Sequence, residues 1–152
     1  MAKEKDKEEK IKDLWLKMRC VKQTLNYDDK KFEVFVIKDT DARATFKDGI
    51  VVNDAFFNRS SKEQLAVLYH EEYHLKGSTI CKGFYYRLKF LSLIKAKWQE
   101  EFDADSYAKE KAGKKPVIGY LKYDKKMYET GKIKYDPKTH PPIEDRIKNI
   151  EK

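Results

Sequence analysis

The chain has 152 residues, 34 basic and 26 acidic side chains, a formal charge of +8 and 40% apolar residues, which suits one domain over residues 1–152 and leaves little room for a second. Eight Phe, ten Tyr and two Trp supply enough bulk for a core, which excludes a wholly disordered chain. The longest apolar-leaning stretch, residues 84–98, is interrupted by Arg87, Lys89, Lys95 and Lys97, so no segment offers the roughly 20 uncharged residues that a membrane span needs.

The first ten residues alternate basic and acidic side chains and lack the apolar core of a signal peptide, so a soluble, cytoplasmic protein without membrane partners is expected. Ile11, Leu14, Trp15, Met18, Val21 and Leu25 recur at three- and four-residue steps, which predicts a helix over residues 7–25. From Phe32 to Ile37 the residues are β-branched and aromatic, and Ala42–Phe46 and Ile50–Val52 follow with Lys47-Asp48-Gly49 between them. That pattern predicts a small, mostly antiparallel sheet with a hairpin turn. Ser60 and Glu63 form a capping-box pair ahead of Gln64-Leu65-Ala66-Val67-Leu68-Tyr69, so a helix is expected from Ser61 to about Lys76, stopped by Gly77. A further helix is expected over residues 85–112, either continuous or broken near residues 92–97, and ended by Gly113 and Pro116. Lys114–Thr139 reads as loop with one short helix near residues 123–129, and Pro141-Pro142 opens a last helix to Ile150. The fold class is therefore α+β.

Cys20 and Cys81 match no metal or redox spacing and read as reduced core or boundary residues. The lysines are interleaved with acids almost everywhere. A solvated lysine-rich surface is accordingly the preferred reading over nucleic-acid binding.

Three histidines are present, and His70 and His74 stand four apart with Glu71 between them, inside the best-capped helix. Positions i and i+4 share a helix face, so two imidazoles can converge on one cation while Glu71 lies beside it without coordinating. This is the H-E-x-x-H arrangement of zinc hydrolases, in which the carboxylate moves protons. A third ligand must come from elsewhere. Glu101 and Asp105 fall on one face of the later helix; the first could ligate zinc and the second could accept an imidazole N–H. A solvated acidic face is the competing reading of that segment.

His70-Glu71-Glu72-Tyr73-His74, Glu101-Phe102-Asp103-Ala104-Asp105 and Thr139-His140-Pro141-Pro142 with Arg146-Ile147 resemble, in order, three signatures of the gluzincin metallopeptidases that include the CAAX prenyl proteases and the HtpX heat-shock proteases. The lead-in from Ala44 to Val52 and from Ser61 to Leu68 is similar as well, so the resemblance spans residues 44–147. It implies a zincin-like α+β architecture with one zinc ion held by His70, His74 and Glu101. Glu71 is then the general base and acid, Asp105 supports the ligands, and Arg146 anchors its own segment. His140 faces the oxyanion, and Ile50, Val51, Val52 and Asn53 bind substrate main chain as an added strand. Without the membrane helices usual in that family, the chain looks like the small soluble minigluzincins, some of which are latent zymogens. Tyr73 departs from the family pattern, which has Gly before the second His.

The expected activity is that of a zinc-dependent endopeptidase acting on a peptide or protein, or of its latent precursor. The alternative is a non-catalytic, metal-stabilised domain that binds nucleic acid or an acidic protein through its basic surface.

Overall fold

The computed structural model describes residues 21–28, 30–37, 49–85 and 92–152, with side chains at all of these except 77–85 and 92–93. In chain order these form strands β1 (Val21–Tyr27), β2 (Lys30–Ile37) and β3 (Ile50–Asn53), a short 3-10 turn (Asp54–Asn58), and helices α1 (Ser61–Tyr85), α2 (Ser92–Ala112), α3 (Lys114–Glu129) and α4 (Ile143–Glu151). The class is α+β, as the patterning implies.

The sheet differs from expectation in two ways. Val21–Leu25, read as the end of a helix, is strand: Val21, Gln23, Leu25 and Tyr27 alternate as well as they step helically, and Leu25 and Tyr27 pack on the sheet side of the core. The pairing of Tyr27 with Lys30 reverses the chain within two residues, and Asp28 takes φ 33° there, a conformation that Asp tolerates better than most residues. The expected helix over residues 7–20, the strand Ala42–Phe46 and the turn at Lys47-Asp48 lie outside the described residues, as does Cys20, and the side chain of Cys81 is also outside them. The sheet is also mixed, because β2 runs antiparallel to β1 but parallel to β3, with Val34 opposite Ile50 and Val36 opposite Val52.

Helix α1 starts as its capping box predicts. The Ser60 N–H donates to Glu63 Oε2 at 3.0 Å, and the Glu63 N–H donates to Ser60 Oγ at 3.3 Å. The helix does not stop at Gly77 but continues to Tyr85; a glycine inside a helix weakens it by only about 1 kcal/mol, which neighbouring turns can offset. Leu68 packs with Phe32, Val34, Ile50, Val52 and Phe56 under the sheet, whereas Ala66 packs with Ala108, Val117, Tyr120, Leu121, Ile143 and Ile150 from the other helices. Helix α1 thus lies between the sheet and the helical layer, and His70 and His74, one and two turns beyond Ala66, follow the helix-facing stripe.

Gly113 ends α2 at φ 93°, its N–H bonded to the Lys109 carbonyl at 2.9 Å. The segment after it, read as mostly loop, is a sixteen-residue helix. Pro116 sits in its first turn, where a missing N–H costs nothing. Gly119 brings α3 close to α1: a Cβ there would collide with the Glu63 carboxylate.

Candidate metal centre

The site forms where α1 crosses α2. His70 Nδ1 lies 2.9 Å from Asp105 Oδ1, His70 Nε2 lies 3.4 Å from Glu101 Oε2, and His74 Nε2 lies 3.3 Å from Glu101 Oε1. Partners that advance along α1 retreat along α2, so the two helices run antiparallel and each histidine meets acids from the facing helix. The two Nε2 atoms are 3.1 Å apart. His70, Glu101, Asp105 and Arg146 are buried, and His74 is half-buried.

Each imidazole spends its outer nitrogen on a carboxylate. His70 Nδ1 faces Asp105, and His74 Nδ1 lies 3.2 Å from Glu100 Oε1. A proton on each Nδ1 leaves both Nε2 lone pairs directed at the same point as Glu101. Asp105 is itself fixed: Arg146 donates through Nε to Oδ2 and through Nη2 to Oδ1, both at 2.7 Å. The Tyr120 hydroxyl donates to Asp105 Oδ1, stands 3.2 Å from His70 Nδ1 and accepts from Arg146 Nη2 at 3.1 Å.

These residues fit a divalent cation on three counts. Bonds of about 2.0–2.1 Å to a tetrahedral ion place donor atoms about 3.3–3.4 Å apart, a range that the spacing of each Nε2 from its nearer Glu101 oxygen, 3.4 and 3.3 Å, falls in. The buried carboxylates Glu101 and Asp105 outnumber the buried guanidinium of Arg146, a deficit that protonated imidazoles meet in the metal-free fold and that a bound cation would meet in their place. Glu101 Oε2 is buried and has no well-aligned hydrogen-bond donor among the described residues, with His70 Nε2 and Arg146 Nη1 each 3.4 Å from it. Among those residues, His70, His74 and Glu101 are the group whose donor atoms lie mutually within 4.8 Å.

The electrostatics reflect the same crowding of acids. Burial opposes charge on His74, but the hydrogen bonds it donates to Glu100 and Glu101 and the nearby charges of Glu101 and Glu71 outweigh it and lift its pKa to about 10. His70 is raised too, because Asp105 and Glu101 overcome the burial penalty. Burial would raise Glu101 and Asp105, yet His70, His74 and Arg146 hold the first well below the usual carboxylate range, and Arg146 and His70 hold the second below it. Burial, followed by the charge of Asp105, keeps the Tyr120 hydroxyl protonated well above its ordinary range.

The other residues singled out in the sequence are placed as follows. Glu71 is half-buried on α1 beside His74. His140 precedes α4, with Nε2 3.8 Å from Glu101 Oε1 and Nδ1 2.8 Å from Thr139 Oγ1. Ile50 and Val52 turn their side chains into the core, and Asn53 uses its side-chain oxygen to cap the 3-10 turn at Phe56 N, 3.2 Å away. Tyr73, the departure from the family pattern, leans on Tyr107 with ring centroids 5.8 Å apart. Two participants escaped the sequence reading. Tyr120 falls in the stretch that reads as loop, although the spacing Val117, Tyr120, Leu121, Asp124 is that of a helix face. Glu100 is one of four acids between residues 100 and 105, with Glu101, Asp103 and Asp105, and its own spacing does not set it apart.

No family model, curated protein or solved structure matches this chain.

Proposed function

We propose that the chain is a zinc-dependent endopeptidase of gluzincin type, holding one zinc ion through His70, His74 and Glu101. The observation that carries this reading is the convergence of two imidazole Nε2 atoms, 3.1 Å apart, on the two oxygens of the Glu101 carboxylate at 3.4 and 3.3 Å, with Glu71 beside His74. Zinc supplies a Lewis acid there and makes water a competent nucleophile near neutral pH. Glu71 accepts the proton of the attacking water and later delivers one to the leaving amine. His140, beside Glu101, donates from Nε2 to the oxygen on which negative charge develops. Arg146 and Asp105 act one layer out, keeping His70 in a single tautomer. The main chain of β3 offers an extended peptide its pairing groups, while the buried side chains of Ile50 and Val52 hold the strand in place.

The alternative, a domain whose metal is structural and whose basic surface binds nucleic acid or an acidic protein, draws support from the net charge of +8. It gives Glu71 no task. The test pairs wild type with Glu71→Gln, both loaded with zinc, on casein and on a peptide library, with and without trimming of either terminus to relieve latency. The expected result is cleavage by wild type only, with one zinc retained by both. Equal cleavage by the two proteins, or cleavage by neither in any form, overturns the peptidase reading.

A further inference from the structure

The two ligand imidazoles are braced from the same helix but in unlike ways. On the His70 side the acceptor is Asp105, fully buried and clamped by both Arg146 and Tyr120. On the His74 side the acceptor is Glu100, 3.2 Å from Nδ1, with its side chain 42% exposed. Glu100 and Glu101 are consecutive on α2, so one turn of helix carries both a ligand and the brace of a second ligand, while Asp105, one turn further, braces the other.

From this we propose that Glu100 is a positioning residue of the metal centre: its carboxylate holds His74 in the tautomer that offers Nε2 and raises the basicity of that nitrogen. The inference rests on the proposed zinc site. A carboxylate behind a ligating imidazole orients the ring and strengthens it as a donor, and removal of such a partner typically lowers metal affinity about 10–100-fold. Because Glu100 is partly in solvent and Glu101 still faces the His74 imidazole after its loss, the effect on metal binding exceeds the effect on the metal-free fold.

The experiment measures zinc affinity by competition with a chromophoric chelator for wild type, Glu100→Ala, Glu100→Gln and, as a control, Glu110→Ala, which is exposed and contacts Lys111. Metal-free and zinc-loaded melting curves of all four are recorded alongside. Glu100→Ala is expected to bind zinc about 10-fold more weakly, Glu100→Gln to recover part of the loss through its amide oxygen, and Glu110→Ala to match wild type, with the metal-free midpoint of Glu100→Ala falling by less than its zinc-loaded midpoint. Wild-type affinity in Glu100→Ala overturns the positioning role. A drop matched by an equal fall in the metal-free midpoint overturns it too, because the residue would then be structural. If wild type itself binds no zinc, it is the underlying metal site that fails.

Discussion

At the residue scale, the most consequential group besides the ligands is Asp105. It is fully buried, it neutralises Arg146 and it receives His70. Taking its carboxylate away leaves a buried guanidinium without its bidentate partner, a change that typically costs about 3–5 kcal/mol. Asp105→Ala is therefore expected to lower unfolding stability by that amount in urea titration, and a loss under about 1 kcal/mol would show the pair to be solvated after all. That Asp105 could serve an imidazole was legible in the sequence, because Glu101 and Asp105 sit one turn apart and both face the helix that carries the histidines. The clamp by Tyr120 was not legible, since nothing local to Tyr120 distinguishes a core tyrosine from one whose hydroxyl enters a buried ion pair. Only the docking of α3 decides it.

At the element scale, α1 organises the rest, with the sheet on one side and three helices on the other. Its start was readable because a capping box is a local device. Its end was not, because Gly77 weakens the helix by less than packing can return. The same reasoning applies to α3, where Gly119 and a lysine-rich surface masked a buried stripe at Val117, Tyr120, Leu121 and Asp124. Gly119 is there for proximity, its missing Cβ leaving room for Glu63 in the capping box. A coupling follows. In a Glu63→Ala background, Gly119→Ala is expected to stabilise the protein by about 1 kcal/mol through helix propensity. In the wild-type background most of that gain is lost, because the new methyl displaces the carboxylate that caps α1. Equal gains in both backgrounds, by thermal or urea unfolding, would rule the contact out as the reason for the glycine.

At the scale of the whole molecule, no helix among the described residues is long and apolar enough to cross a membrane. The parallel pairing of β3 with β2 was beyond the sequence reading, because a local turn signal such as Lys47-Asp48-Gly49 speaks only to adjacent segments and not to which strands pair across the sheet. The buried ionic cluster ties global stability to pH. The pKa of His74 is raised from 6.5 to about 10 in the metal-free fold, so its contribution is complete below the lower value and disappears as pH rises through the higher one. Bound zinc requires the neutral imidazoles, so zinc stabilisation changes in the opposite sense and grows over the same window. The difference in melting temperature between zinc-loaded and chelator-treated protein is expected to be larger at about pH 8 than at about pH 6. A constant or shrinking difference would contradict that linkage. In acid the depressed Asp105 and Glu101 add a second limb: their contribution is present above the ordinary carboxylate pKa and is lost as pH falls through their lowered folded values.

Zinc stoichiometry by equilibrium dialysis followed by elemental analysis addresses the centre itself, with wild type compared with His74→Ala and Glu101→Ala after each variant is shown to melt cooperatively. One tightly held ion per wild-type chain, and a large loss of affinity in both variants, is the predicted result. A wild-type protein that holds no zinc, or variants that hold it as tightly as wild type, would contradict a metal centre at His70, His74 and Glu101.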